Sequence, residues 1–223
     1  GSDPTHPDVV VAANGGSDLI YLNGPDAKEN AGSIVKFLSG QDYTSGICVN
    51  DALGKFPGTL PMSAVNLIGS AKTPQPSIVV NFRSFANCPE QLQCTVGVND
   101  TNLATGQGSH GSLSRAETRN FMAAIGPDFK AGYADPAPIS NADIAPTMAH
   151  VAGITMAPKG KLTGRVIAEA LKGGREPVVA QHTIRSDPDE NGNTTILDIQ
   201  QVGEQRYFDA AGFAGRTVGL KSE

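Results

Sequence analysis

The sequence predicts an α/β fold, because short β-branched runs alternate with segments whose apolar residues recur at helical spacing. Val9, Val10 and Val11 are continuous, the pattern of a strand buried on both faces. Residues 77–82, SIVVNF, form a second such run. Between them Ala31, Ile34, Val35 and Leu38 place one apolar stripe on a helix over residues 26–39, with Gly40 as its stop. At 223 residues and 39% hydrophobic content, the chain can bury a sizeable core. The expected organisation is one domain, with residues 1–175 as its body and residues 176–223 as a β-hairpin and Gly-rich tail.

The remaining elements follow in order. Asn14-Gly15-Gly16-Ser17 separates two apolar runs and reads as a tight turn or hairpin. Residues 44–49 form another strand, followed by a Gly/Pro-rich connection. Cys48, inside that strand, reads as a small buried residue. Residues 99–119 are polar, and Gly106, Gly108 and Gly111 mark a loop with unusual backbone demands. Residues 119–125 are expected to be a strand closed by Gly126-Pro127. Ser140-Asn141 can cap a helix reaching about Ala152, with Pro146 near its first turn. A second helix is expected over residues 162–171, ending at Gly173-Gly174. Residues 178–185 and 194–202 alternate as two strands of a hairpin around SDPDENGN.

Bulk properties exclude some functions. The net charge is −5 and charged residues are scattered, so no basic stripe awaits a nucleic-acid polymer. No apolar run is long enough to span a bilayer. Gly1-Ser2 reads as an appended pair, so a natural N-terminus upstream is expected. Cys88 and Cys94 flank the short segment CPEQLQC. A disulfide there would imply an oxidising compartment, periplasmic or secreted. Two free thiols are the alternative.

The most informative segment runs from residue 106 to 154. It holds Gly108-Ser109-His110-Gly111, then Gly126-Pro127-Asp128-Phe129, then Pro138-Ile139-Ser140-Asn141-Ala142-Asp143-Ile144. In order and spacing this set resembles the nucleotide pyrophosphatase/phosphodiesterase branch of the alkaline-phosphatase superfamily. The resemblance is firmest over residues 106–171. It implies the C-terminal part of an alkaline-phosphatase-like α/β/α sandwich with a C-terminal β-hairpin. It also implies a metal-dependent phosphoester hydrolase acting on a phosphate ester or nucleotide, with two catalytic metals, usually zinc.

In that family the histidine of the G-x-H-G turn binds one of the metals, which nominates His110. A neutral imidazole is a good zinc ligand, and flanking glycines leave its metal face uncrowded. The family's Ser/Thr nucleophile and other ligands come from motifs that precede this turn, among them Asp-x-x-x-His and Asp-His-Gly. Neither motif stands before His110 here. The nucleophile is therefore absent from this chain, and the resemblance implies a fragment inactive alone, lacking an N-terminal half. Such a half-domain would expose an apolar face and could pair with a second copy through it. Two other readings remain open: a non-catalytic structural or interaction module, and a relative specialised for sulfate or phosphonate esters.

Other candidates have plainer explanations. His150 sits near a helix end, where the dipole favours it. His182 reads as a surface residue on a strand, and His6 as part of the N-terminal arm. Arg115 and Arg119 could reach a phosphate, or could be solvated or paired with Glu117. Asn120 and Asn141 read as partners for loop and cap backbone. Asp187, Asp189, Asn191, Gly192 and Asp198 have calcium-loop spacing, but Pro188 and the flanking β-like runs favour a polar turn.

Overall fold

The computed structural model describes residues 3, 5–70, 72–88, 92–104, 107–157 and 164–220. It divides into two compact units. The first comprises Gly1–Asn120, Thr183–Asp198 and Asp209–Glu223; the second comprises Phe121–His182 and Ile199–Phe208. Helices and strands are mixed, as the α/β expectation requires.

In the first unit five strands form one sheet in the order β1-β2-β5-β3-β4. These are β1 Val9–Ala13, β2 Ser17–Leu22, β3 Thr44–Val49, β4 Thr59–Pro61 and β5 Ile78–Phe82. The pairs β1–β2, β2–β5 and β5–β3 are antiparallel, and only β3–β4 is parallel. Helix α1, Ala27–Ser39, packs Ala31, Val35 and Leu38 against Ile20, Ile47, Val49, Ile78, Val80 and Phe82. The stripe read from the sequence is thus the core face. Gly40 ends α1 with right-handed backbone, φ −80°. The Gln41 side chain helps close the end by donating from Nε2 to the Phe37 carbonyl at 2.9 Å.

Every residue of β3 and β5 is buried. The three valines of β1 are not: Val9 is 40%, Val10 38% and Val11 55% exposed. This corrects the expectation of a strand covered on both faces. Within the described residues β1 pairs only with β2 and forms the edge of its sheet. Continuous β-branched residues announce cover on both faces, and among the described residues neither face of β1 is closed over.

Two further strands, β6 Ser84–Ala86 and β7 Thr95–Gly97, form a small antiparallel hairpin. Cys88 and Cys94 are joined as a disulfide across the turn between them, with Cα atoms 5.4 Å apart. Residues 89–91 of that turn lie outside the described set, as does Gly106.

The C-terminal expectation of a hairpin holds, with an added strand. Strands β8 Val179–Arg185, β9 Thr195–Val202 and β10 Gln205–Phe213 form a sheet in the order β10-β9-β8. The supposed Gly-rich tail therefore begins as a nine-residue strand. Gly212 within it is glycine because of crowding: a Cβ there would lie 2.3 Å from the Ser45 carbonyl oxygen of β3. The segment SDPDENGN is a polar turn. Asp189 accepts from the backbone N–H groups of Asn191 and Asn193 and from the Asn193 amide. A carboxylate so engaged within its own turn has little left for calcium.

Helix α2, Arg115–Thr118, is a single turn in the first unit. The second unit begins immediately after it, and here two expectations fail. Residues 119–125 form no strand. Phe121 is 91% and Ile125 100% exposed, and residues 121–125 make no backbone hydrogen bond to another described residue. An apolar run needs a neighbouring strand to become one, and none of the described residues provides it. The helix expected over residues 162–171 is likewise not found. Residues 162 and 163 lie outside the described set, and the rest contains only a 3₁₀ turn at Ala168–Ala170. The backbone N–H of Arg165 is taken by Asp143 Oδ1 at 2.8 Å, and that of Ile167 by Thr147 Oγ1 at 3.0 Å. Side chains from elsewhere have claimed donors that a helix would have used internally.

Helix α3, Ile144–Val151, starts as read from the sequence. Ser140 and Asp143 form a reciprocal capping box on the 3₁₀ turn that leads into it, and Pro146 falls in its first turn. The sulfurs give a test of the first unit. Cys48 is 2% exposed, and burial pushes its thiol up to about 12. Ellman's reagent is expected to find no free thiol in the native protein and one after unfolding in concentrated guanidinium without reductant. Three thiols on unfolding would mean that Cys88 and Cys94 are not joined.

Candidate functional site

The Asn14-Gly15-Gly16 turn at one end of the main sheet carries the loop that contains His110. The two backbones touch at several points. The Gly16 N–H donates to the His110 carbonyl at 2.8 Å. Gly15 exchanges hydrogen bonds with Asp100, its N–H donating at 3.2 Å and its carbonyl accepting at 2.8 Å. Side chains cannot fit between them. A Cβ on Gly15 would lie 2.3 Å from the His110 carbonyl oxygen, and one on Gly16 would lie 2.6 Å from Ser112. Gly111 has φ +102°, and a Cβ there would lie 2.0 Å from the Asn14 carbonyl oxygen. Gly15 and Gly16 of the turn and Gly111 of the G-x-H-G loop thus serve one contact, whereas a Cβ on Gly108 would meet open space.

After His110 the loop is bound into the unit's interior. Asn81 on β5 is 1% exposed. Its Oδ1 accepts from the Leu113 N–H at 2.8 Å, and its Nδ2 donates to Ser45 Oγ at 2.7 Å. The Leu113 carbonyl accepts from the Ala211 N–H at 2.8 Å. Before His110, Ser109 Oγ donates to Asn99 Oδ1 at 2.8 Å. The backbone is therefore held at the His110 carbonyl and beyond it, while the residue itself is exposed. It borders a cleft of about 340 Å³ whose lining includes Asn14, Asp100, Asn102 and Ser109.

The electrostatics of this end are acidic. Asp18, at the start of β2, has an Oδ1 that is buried without a partner among the described residues. Burial pushes its carboxyl above the usual range, and the charge of Asp100 adds to the rise. Glu117 lies across the loop and accepts from the Ser112 N–H at 2.9 Å. Burial raises its carboxyl too, opposed by the Ser112 and Gly111 N–H groups and by His110.

His110 is the one donor nominated from the sequence, and its placement suits a ligand: fixed backbone and accessible ring. The described residues nevertheless gather no group of three or more His, Cys, Asp or Glu side chains able to hold a metal. A hydrolytic zinc needs about three protein ligands, so these residues do not make a complete zinc site.

The other histidines stand elsewhere. His6 is exposed, with Nδ1 3.1 Å from Asp3 Oδ2. His150 is exposed in the last turn of α3, and His182 is exposed on β8. Arg115 is not free for phosphate, and its partner is not Glu117: its guanidinium forms an ion pair with Asp209. Arg119 is exposed at the end of α2. Asn120 donates to the Glu117 carbonyl at 2.9 Å, the backbone role read for it. Sequence reasoning did not single out Asn14, Asp100 or Asn81. Asp100 lies in the polar stretch marked as a loop, but only pairing with Gly15 brings it beside His110.

The motif at residues 138–144 belongs to the second unit and serves a buried polar network there. Asp143 is fully buried and accepts from the Ser140 and Arg165 N–H groups and from the Tyr207 hydroxyl. Arg165 also donates to Tyr207 Oη at 2.9 Å and to Glu169 Oε2 at 2.8 Å. Every one of these partners is paired, which is how a buried charge becomes tolerable. The motif is structural in this unit.

No protein-family model, no curated protein and no solved structure matches the chain.

Two substitutions test this geometry. Gly111→Ala is expected to destabilise by about 2 kcal/mol or more, read by denaturant unfolding. Gly132→Ala, with φ +63° but open space around it, serves as the comparison and is expected to cost only about 1–2 kcal/mol. Equal losses would show that the Asn14 contact is not restrictive. Asp18→Asn probes the carboxyl whose Oδ1 is buried without a partner among the described residues. A raised folded pKa favours the native state at low pH, and that contribution is lost as pH rises through the folded value. The variant is expected to melt higher than the parent at pH 7, with a smaller gain near pH 4.

Proposed function

We propose that this chain supplies one metal-holding loop to a metal-dependent phosphoester hydrolase of the phosphodiesterase or nucleotide-pyrophosphatase type, within an alkaline-phosphatase-like α/β/α sandwich. The observation that carries this reading is the presentation of His110: an exposed histidine whose backbone is fixed at its own carbonyl and beyond, beside the turn at the end of a sheet. Preorganised loops at element ends are where ligands for catalytic ions belong, because the ion gains most from donors that need no reordering.

Open apolar surface within each unit supports the reading. In the first unit the valines of β1 face solvent. In the second, Ile144 and Met148, one turn apart on α3, are 45% and 52% exposed, while the one buried residue of that helix is Thr147. A helix with its apolar residues outward lacks the surface it was built to meet. We take the missing surface to be the remainder of the sandwich, which would also bring the nucleophile and the other metal ligands. Pairing with a second copy through the same surface is the alternative occupant. The Cys88–Cys94 disulfide fits a periplasmic or secreted enzyme.

On this reading His110 would be one ligand of a metal whose other ligands come from outside the described residues, and that metal would supply Lewis-acid charge to the phosphoester chemistry. The chain's own work is to bind through His110 and to keep its loop from moving. The substrate class is a phosphate ester or nucleotide.

The chain alone is expected not to hydrolyse bis(p-nitrophenyl) phosphate with added zinc. The full gene product is expected to do so, and its His110→Ala variant to lose at least about 100-fold in kcat/KM. Zinc-dependent turnover by the chain alone, or an undiminished His110→Ala enzyme, would overturn the assignment. A full-length product with no upstream Ser or Thr nucleophile and no Asp-His-Gly motif would indicate a non-catalytic module.

A further inference from the structure

We propose that residues 101–104 are a strap that closes on β1 as a sixth strand of the main sheet and shuts the cleft beside His110. The closure does not depend on what His110 binds. It follows from the direction of the backbone groups along β1. The Asn14 N–H donates to the Ser17 carbonyl, and the Asn23 N–H to the Asp8 carbonyl. Both pairs keep the register in which Val9 faces Leu22 and Ala13 faces Asp18. In an antiparallel pair the hydrogen-bonded residues alternate. Asp8, Val10, Ala12 and Asn14 therefore turn their N–H and C=O groups to β2. Val9, Val11 and Ala13 turn theirs to the open edge, where none of the described residues bonds them.

Gly15 is next in that outward series, and it has a partner. Its N–H donates to the Asp100 carbonyl at 3.2 Å, and the Asp100 N–H donates to the Gly15 carbonyl at 2.8 Å. The bridge is antiparallel, so it sets the register of the residues that follow. Continued two residues at a time, it places Asn102 opposite Ala13 and Ala104 opposite Val11. Those are the residues of β1 whose groups point outward. The segment already lies close by: Ala13, Asn102 and Leu103 line the same cleft of about 340 Å³ that His110 borders.

Little holds the strap open. Residues 101–104 are exposed. The Ala104 N–H donates to Gln107 Oε1 at 2.8 Å and is released on closure. The Leu103 N–H, bonded to Thr101 Oγ1 at 3.2 Å, points away from β1 in the closed register and can keep its partner. In exchange Ala13 with Asn102, and Val11 with Ala104, gain reciprocal backbone hydrogen bonds. Leu103, 48% exposed, comes to lie opposite Ala12 and diagonal to Val10. An open edge invites pairing with other chains, and a covering loop is a common remedy. When no other strand takes this edge, the strap does.

Amide exchange in the full chain, followed by NMR, tests the closure. Val11 and Ala13 are expected to be protected together with Asn102 and Ala104, while Val9 exchanges freely. Asn102→Pro removes a donor from the strap and is expected to speed exchange at Val11 and Ala13 by about tenfold. Val10 and Ala12, bonded to β2, are expected to keep their protection and so report that the variant is folded. Ala12→Cys combined with Leu103→Cys tests the register. The two positions face each other as a non-hydrogen-bonded pair, about 4.5 Å apart at Cα, within reach of a disulfide. Oxidised glutathione is expected to join them within one chain. It is expected to leave Ala12→Cys with Ala104→Cys, whose side chains take opposite faces, unjoined. In the joined variant diethyl pyrocarbonate is expected to modify His110 more slowly than before oxidation. Val11 and Ala13 exchanging as fast as Val9 in the parent would overturn the strap. So would protection that fades on dilution, because a second copy would then hold the edge. Equal joining of the out-of-register pair would overturn the register, and unchanged reactivity of His110 would overturn the shutting of the cleft.

Discussion

The first unit is organised around one close approach, that of the Asn14-Gly15-Gly16 turn to the loop carrying His110. The two backbones meet at hydrogen-bonding distance, and no Cβ fits at Gly15, Gly16 or Gly111. Once this contact forms, the main sheet and the loop become a single piece. Asn81 then extends the hold inward, joining Leu113 to β3 through Ser45. The outcome is a histidine that is open to solvent yet has little freedom of backbone. On the proposed reading this combination favours binding, because binding need not then order the chain.

A different constraint governs the second unit. There the start of α3 is fixed by Asp143, which accepts three hydrogen bonds and is fully buried. Its demand for donors draws in the Arg165 backbone and the Tyr207 hydroxyl. That is why residues following 163 do not continue as a helix despite a suitable apolar spacing. The cost of an unpaired buried carboxylate exceeds the modest preference of a short segment for helix. Arg165 and Glu169, paired with each other, complete the network.

Open apolar surface marks the limits of both units. Val9 to Val11, the run at residues 121–125 and the outer face of α3 carry residues of the kind usually found inside proteins. These segments have strand or helix character in sequence, and in two of them that character has no neighbour to act upon. A free β-edge rich in valine is a hazard for a protein left by itself. Asp18, whose carboxyl feels the charge of Asp100, keeps a buried oxygen without a partner among the described residues.

Local patterns in the chain determined those elements whose neighbours are also present. The stripe Ala31, Val35 and Leu38 specified α1 and its buried face. The run at residues 78–82 specified a central strand, and Ser140 with Asp143 specified the cap before α3. Burial of Cys48 and the polar turn at Asp189 were also legible, because apolar periodicity and turn chemistry are properties of adjacent residues. His110 could be nominated, since glycines on either side of a histidine are visible in the sequence. What tertiary structure decided was everything that needs a partner distant in the chain. Cys88 and Cys94 were compatible with bridged or free thiols until they were brought together. Residues 121–125 had the composition of a strand but no strand to pair with. Only folding set Gly111 against Asn14, Ser112 against Glu117, and Arg115 against Asp209. The physical reason is that backbone propensity is worth tenths of a kcal/mol per residue, whereas a buried hydrogen bond or a blocked Cβ is worth one or more, so the distant contact prevails wherever the two conflict.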